Sequence, residues 1–157
     1  MKRIILLMNI TLLMLMTGYS QSYNSAIGIR GGFFNGITFK QFTSNSDAFE
    51  LVASTHHRGL LVAGMFQRHA NAFDAPGLFW YYGAGAHVGV YERQNTPWFK
   101  NESGNVSTLG VNGVFGIEYK IEEIPITIGV DLTPAFNIIG HTGFWLNSGI
   151  TLRYILR

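Results

Sequence analysis

The sequence contains no cysteine, only four prolines and only 13% charged residues. Without cysteine there is no disulfide framework, on which small secreted domains often depend. There is also no thiol to carry a lipid anchor behind an export signal. The charged share is about half the quarter that is usual for a globular surface. Long apolar runs are missing too: beyond the first twenty residues nothing approaches the ~18 to 20 consecutive apolar positions of a membrane-spanning helix. Nor is there a working excess of basic charge. The net charge of +2 comes from 11 Lys and Arg against 9 Asp and Glu. Lys2 and Arg3 alone account for the surplus, and no basic patch points to nucleic acid.

Those two residues open a segment of their own. Lys2 and Arg3 precede a mostly apolar run from Ile4 to Met16, interrupted by Asn9 and Thr11. Gly18 and Ser20 then stand at −3 and −1 to a cut before Gln21. Basic, apolar, small-x-small is the order of a cleavable secretory peptide, and the run is short for a spanning helix. Residues 1–20 are therefore expected to direct export and to be removed, leaving 21–157 as one domain.

What the chain does have is 47% apolar residues, 14% aromatics and 19 glycines. That is too apolar for an ordinary soluble surface. A closed β-barrel resolves the conflict, because it satisfies every backbone hydrogen bond between strands while facing lipid outward.

The local pattern agrees. Past residue 25 a period of two recurs, with large apolar side chains on one parity and small or polar ones on the other. Ile27 and Ile29 oppose Ala26, Gly28 and Arg30; Ile37 and Phe39 oppose Thr38 and Lys40; Phe49, Leu51 and Ala53 oppose Glu50, Val52 and Ser54. A strand from Leu60 to about Arg68 is apolar on both faces. From Phe79 to Tyr91, Trp80, Tyr82, Ala84, Ala86, Val88 and Val90 oppose Gly83, Gly85, His87 and Gly89. Leu109 to Tyr119, Ile126 to Thr133 and Gly149 to Leu156 alternate likewise. Turns are expected at 32–35, 43–47, 56–59, 71–77 and 122–125, and longer loops at 92–107 and 136–146. Eight strands of ~10 residues fit the roughly 137 residues that follow the export segment, whereas ten would leave too little for connections. The fold class is all-β: an antiparallel up-and-down transmembrane barrel of about eight strands, with both ends of the barrel domain on the periplasmic side of an outer membrane.

Six charges fall on the inward parity: Arg30, Lys40 and Arg153 against Glu50, Glu118 and Asp131. A barrel of eight strands is just wide enough to be filled by side chains. Charges taken out of water there must pair, so a neutral luminal ion network is expected, with His87 as a hydrogen-bonding neighbour. Aromatics fall toward strand ends, as interfacial girdles do. Phe42, Trp80, Tyr82, Tyr119 and Tyr154 are assigned to one rim, and Phe33, Phe34, Tyr91, Phe136 and Trp145 to the other.

The stretches AIGIRGGFFNGITFKQF, GLFWYYGAGAHVGVY and IEEIPITIGVDLTPAFNIIGHTGFW resemble small outer-membrane barrels of the OmpA/OmpX type, and in particular the short barrel proteins of Bacteroidota. The resemblance implies a Gram-negative outer membrane as the location. It also implies outer-membrane lipid and the barrel-assembly machinery as partners, and it says little about activity. Many such barrels end on an outward aromatic; here the end is Tyr154-Ile155-Leu156-Arg157, with Tyr154 on the outward parity.

Chemistry beyond the barrel is sparse. His56 and His57 are adjacent and lack the spacing of metal ligands, and no phosphate-cradling loop or catalytic carboxylate pair is visible. His141, Ser148 and Asp131 would be the residues of a lipid-modifying enzyme, but no nucleophile motif surrounds them. A soluble lipocalin-like carrier is the other alternative. The favoured reading needs no cofactor, metal or catalysis. It is a structural or interaction role with a filled lumen and no open pore. Trp98 and Phe99 in the 92–107 loop would offer a contact surface for an envelope-complex or surface partner.

Overall fold

The computed structural model describes residues 23–56, 59–92, 104–140 and 142–156. Among these every regular element is a strand: β1 (Ser25–Gly32), β2 (Asn35–Phe42), β3 (Asp47–His56), β4 (Gly59–Asn71), β5 (Leu78–Glu92), β6 (Asn105–Lys120), β7 (Ile126–Ile139) and β8 (Gly143–Leu156). Each strand pairs antiparallel with the next, and β8 pairs with β1 to close the barrel. No described helix is long and apolar enough to cross a membrane, which does not bear on a protein that would cross with strands. The expected all-β antiparallel barrel of about eight strands is the one observed.

The alternation sorts side chains as the pleat requires. β6 reads buried, exposed, buried, exposed along nearly its whole length. The outward set is apolar and bare: Ile29 is 62% exposed, Ile150 61% and Val130 56%. The inward set includes every one of Arg30, Lys40, Glu50, Glu118, Asp131 and Arg153, all buried. This is the reverse of a soluble barrel, in which the apolar set is the buried one.

The described turns at 43–46, 72–77 and 121–125 share one end with the start of β1 and the end of β8, called here the terminal end. The opposite end carries the 33–34 turn and the connections following β3, β5 and β7. The walls differ in height. β1 and β2 are 8 residues long, while β6 has 16 and β7 and β8 have 14 each. Pairing of β1 with β8 stops at Gly32 opposite Gly149. Beyond it Phe33 N–H reaches Ser148 O at 3.4 Å, and residues 143–147 of β8 pair only with β7 among the described residues.

Two loop boundaries differ from the sequence reading. β6 already begins at Asn105, inside the expected 92–107 loop, and most of the expected 136–146 loop is strand. The second stretch reads as a loop for its aromatics and glycines, yet the strand runs on even past Pro134. A proline lacks the N–H of a ladder and normally ends a central strand. Here the β6–β7 register skips the positions around it, from Asn112 opposite Ala135 to Phe115 opposite Leu132. Gly113 leaves room for the ring, since a Cβ there would stand 3.3 Å from Pro134 Cγ. A bulge then admits Ile138 as an extra residue between the partners of Leu109 and Gly110.

Five girdle assignments are corrected. Phe33 and Phe34 in the 33–34 turn line the lumen at the rim, and three more lie inside it. Phe42 is buried and packs edge-to-face on Tyr23, ring centroids 4.9 Å apart. Tyr91 is buried on the inward parity of β5. Trp145 occupies an inward position of β8, opposite buried Ala135. Strand ends are where parity is least constrained, because an aromatic there can fold over the rim into the lumen. Trp80, Tyr82, Tyr119 and Tyr154 keep the outward parity, and Trp80 meets Phe115 edge-to-face at 6.1 Å.

Candidate functional site: the charged lumen

Near the terminal end the lumen is occupied by a polar plug. Arg153 on β8 lies at its centre with no exposed surface, its Nη1 2.8 Å from Glu118 Oε2 and its Nη2 on Glu50 Oε1. Lys40, reaching from β2 across to β6, donates to the same Glu118 Oε2 at 3.1 Å. Two cations thus face two carboxylates with no net charge. The remaining lone pairs are engaged as well: Tyr23 donates to Glu118 at 2.6 Å, Gln67 to Glu50 at 2.5 Å, and Thr38 also donates to Glu50. Most of the cluster's donors and acceptors are thereby paired, as burial of an ion cluster requires, while Arg153 Nε, Gln67 Oε1 and His69 Nδ1 have no partner.

A second pair lies above the first. Arg30 grips Asp131 with two parallel contacts, 2.7 and 2.5 Å, in the fork geometry that suits guanidinium and carboxylate. Tyr81 links the two groups. Its hydroxyl donates to Asp131 at 3.1 Å, its ring lies 4.4 Å beneath Lys40 Nζ, and His69 stacks on it at 5.1 Å. Glycines make the space. A Cβ at Gly116 would fall 2.7 Å from both Asp131 Cβ and Tyr81 Cζ, and one at Gly149 would meet Arg30 Cζ at 2.5 Å.

Toward the opposite end the charges stop. There the lumen holds a cavity of about 90 Å³ with Phe33, Phe34, Met65 and Trp145 in its wall. Its polar side includes Ser54, His87, Asn112, Thr133, Asn137 and Asn147, with Arg30 at the boundary. His87 Nε2 is 2.8 Å from Asn137 Oδ1, and His87 Nδ1 is 3.4 Å from Asn112 Oδ1.

The structure therefore brings Arg30, Lys40, Glu50, Glu118, Asp131 and Arg153 into two linked groups, and it places His87 apart from both, in the cavity. Tyr23, Gln67, His69 and Tyr81 were not singled out from the sequence. Gln67 and His69 carry a usable signal, being the polar residues on one parity of β4. Trp98, Phe99, His57 and His141 lie outside the described residues. Ser148 points outward and Asp131 inward, so the strand wall separates these two members of the would-be catalytic set. Among the described residues no group of three or more His, Asp or Glu could hold a metal.

With this geometry in view, one solved structure is informative. The N-terminal β-barrel domain of Pseudomonas aeruginosa OprF superposes with a TM-score of 0.69 at 20% identity, over 87% of this chain and all of that domain. The chain shares that fold. No family model matches it, and no curated protein does. At 20% identity the likeness extends to architecture alone.

Proposed function

We propose that this protein is a small outer-membrane barrel with a structural or interaction role and no open pore. The observation that carries the reading is the inverted surface: bare apolar side chains outside, buried charges inside. Water would be a poor solvent for the outer face, and lipid a good one. In this reading residues 1–20 are the removed export signal and 21–157 the barrel domain. The strand ends at Ser25 and Leu156 face the periplasm, outer-membrane lipid covers the wall, and the barrel-assembly machinery inserts it. Trp98 and Phe99 would then be carried on the outer side, available to an envelope or surface partner.

The plug supports the absence of a pore, since Arg153, the three charges around it and their partners span the lumen from β2 to β6 and β8. Membrane fractionation followed by gel mobility before and after boiling tests the reading. Outer-membrane enrichment with a heat-dependent shift is expected, and planar bilayers should show no steady conductance. Recovery in the aqueous fraction after osmotic shock, with no mobility shift, would overturn it in favour of a soluble carrier.

A further inference from the structure

The geometry points to the cavity above the plug as a binding site for a small neutral amphiphile: a short apolar body bearing one hydroxyl. Three observations carry this. First, the site has an unpaired polar group. Asn112 is 5% exposed, and its Nδ2 has no hydrogen-bond partner. Of the buried side chains with such an unpartnered atom among the described residues, Asn112 alone lines this cavity. An unmatched amide in a buried wall is costly, and a ligand that pairs it recovers that cost.

Second, the pattern around His87 defines what the ligand must offer. Both ring nitrogens face carbonyl oxygens, yet a neutral imidazole has one N–H and one lone pair. The shorter contact makes Nε2–H the donor to Asn137. Turning the Asn112 amide then gives His87 Nδ1 a donor and leaves Oδ1 as the unpaired atom; without the turn, two lone pairs face each other and both Nδ2 and Oδ1 are left unpaired. A hydroxyl both donates and accepts, so it pairs with Asn112 in either orientation. A charged ligand fits poorly, because the guanidinium of Arg30 is already neutralised by two contacts with Asp131.

Third, the shape suits an apolar body reaching in from above the low wall. Phe33, Met65 and Trp145 line the cavity, and β1 ends level with it while β8 continues past. Phe144 and Leu146 on that continuing stretch are exposed outward, so lipid-facing surface borders the notch. At about 90 Å³ the cavity is smaller than the ~150 Å³ that holds the six heavy atoms of benzene in an engineered core, which favours roughly four heavy atoms in the bound part.

The test uses the full barrel in lipid nanodiscs, followed by NMR of backbone and side-chain amides. Butan-1-ol and 1-chlorobutane are titrated from water as probes matched in length, one with the hydroxyl and one without. Saturable shifts are expected at Asn112, Met65 and Trp145, with butan-1-ol bound roughly fivefold or more tightly than 1-chlorobutane. Asn112→Leu should abolish that preference, and Ala135→Phe should block both probes by filling the cavity. The boiling-dependent gel shift of each variant verifies that it still closes. Hexadecan-1-ol dissolved in the nanodisc lipid separates the sources. The same shifts from it place entry at the notch, whereas shifts from butan-1-ol alone place entry from solution. Linear shifts spread over outward positions such as Ile150, or equal binding of the two short probes, would overturn the site.

Discussion

The two halves of the lumen are built from one alternation and differ in how completely they close. In the terminal half Arg153, Lys40, Glu50 and Glu118 satisfy one another, with Tyr23, Gln67 and Thr38 occupying remaining positions. In the opposite half the charges give way to neutral polar and apolar side chains, and a cavity remains beside Asn112. The contrast follows from wall geometry. All eight strands surround the plug, so a charge finds partners from every side. Above Gly32 the β8 strand has no β1 neighbour, and a buried ion there would have fewer surrounding strands to supply partners. Charge is tolerated where the ring of strands is complete.

Breaking the plug should show the largest effect. Arg153→Met leaves two carboxylates facing Lys40 alone, and about 3–5 kcal/mol of stability should be lost in urea unfolding from vesicles. The double variant Arg153→Met with Glu50→Gln keeps the neutral Lys40–Glu118 pair at 3.1 Å. It should therefore be more stable than the single one. A double variant no better than the single would mean that packing, and not charge balance, holds the plug.

Asp131→Asn probes the boundary between the halves. Arg30 loses its counter-ion but borders the cavity, where water can solvate it. The loss should be smaller, about 1.5–3 kcal/mol in the same unfolding experiment, as for a hydrogen bond to a charged group. If it matched Arg153→Met, the cavity would be as dry as the plug. Tyr81→Phe removes one hydroxyl contact to Asp131 and keeps the ring under Lys40, so about 1 kcal/mol is expected.

Asn112→Leu should be nearly silent, within about 1 kcal/mol of the parent, because it exchanges a half-paired amide for an apolar group. A large loss would show that the His87–Asn112 contact at 3.4 Å belongs to the structural frame rather than to an unfilled site.

Much of this was legible from the chain alone, for a definite reason. A strand displays its residues with a period of two, so Ile27 and Ile29 against Arg30 already state which face turns outward. The same rule holds for Glu118 between Ile117 and Tyr119. It weakens where both parities look alike, as in β4, and there Gln67 and His69 escaped notice. It fails where a local rule is overruled. Pro134 reads as a strand end, but a gap in the β6 ladder and the bare Gly113 accommodate it inside β7. At strand ends it assigned Phe42, Tyr91 and Trp145 to girdles, although each turns inward.

Alternation, composition and turn spacing by themselves determined that this chain makes an all-β barrel of eight strands with its charges inside. Parity is a property of neighbouring residues, so no folded structure was needed to read it. Which charges meet was decided only by closure. Arg153 contacts Glu118 and Glu50, 35 and 103 positions away, because register and barrel diameter bring β8, β6 and β3 around one axis. The cavity likewise appears in no local pattern. It lies beside the place where β1 ends at Gly32 while its neighbour β8 runs on, a mismatch of lengths that has meaning only once the two strands lie side by side.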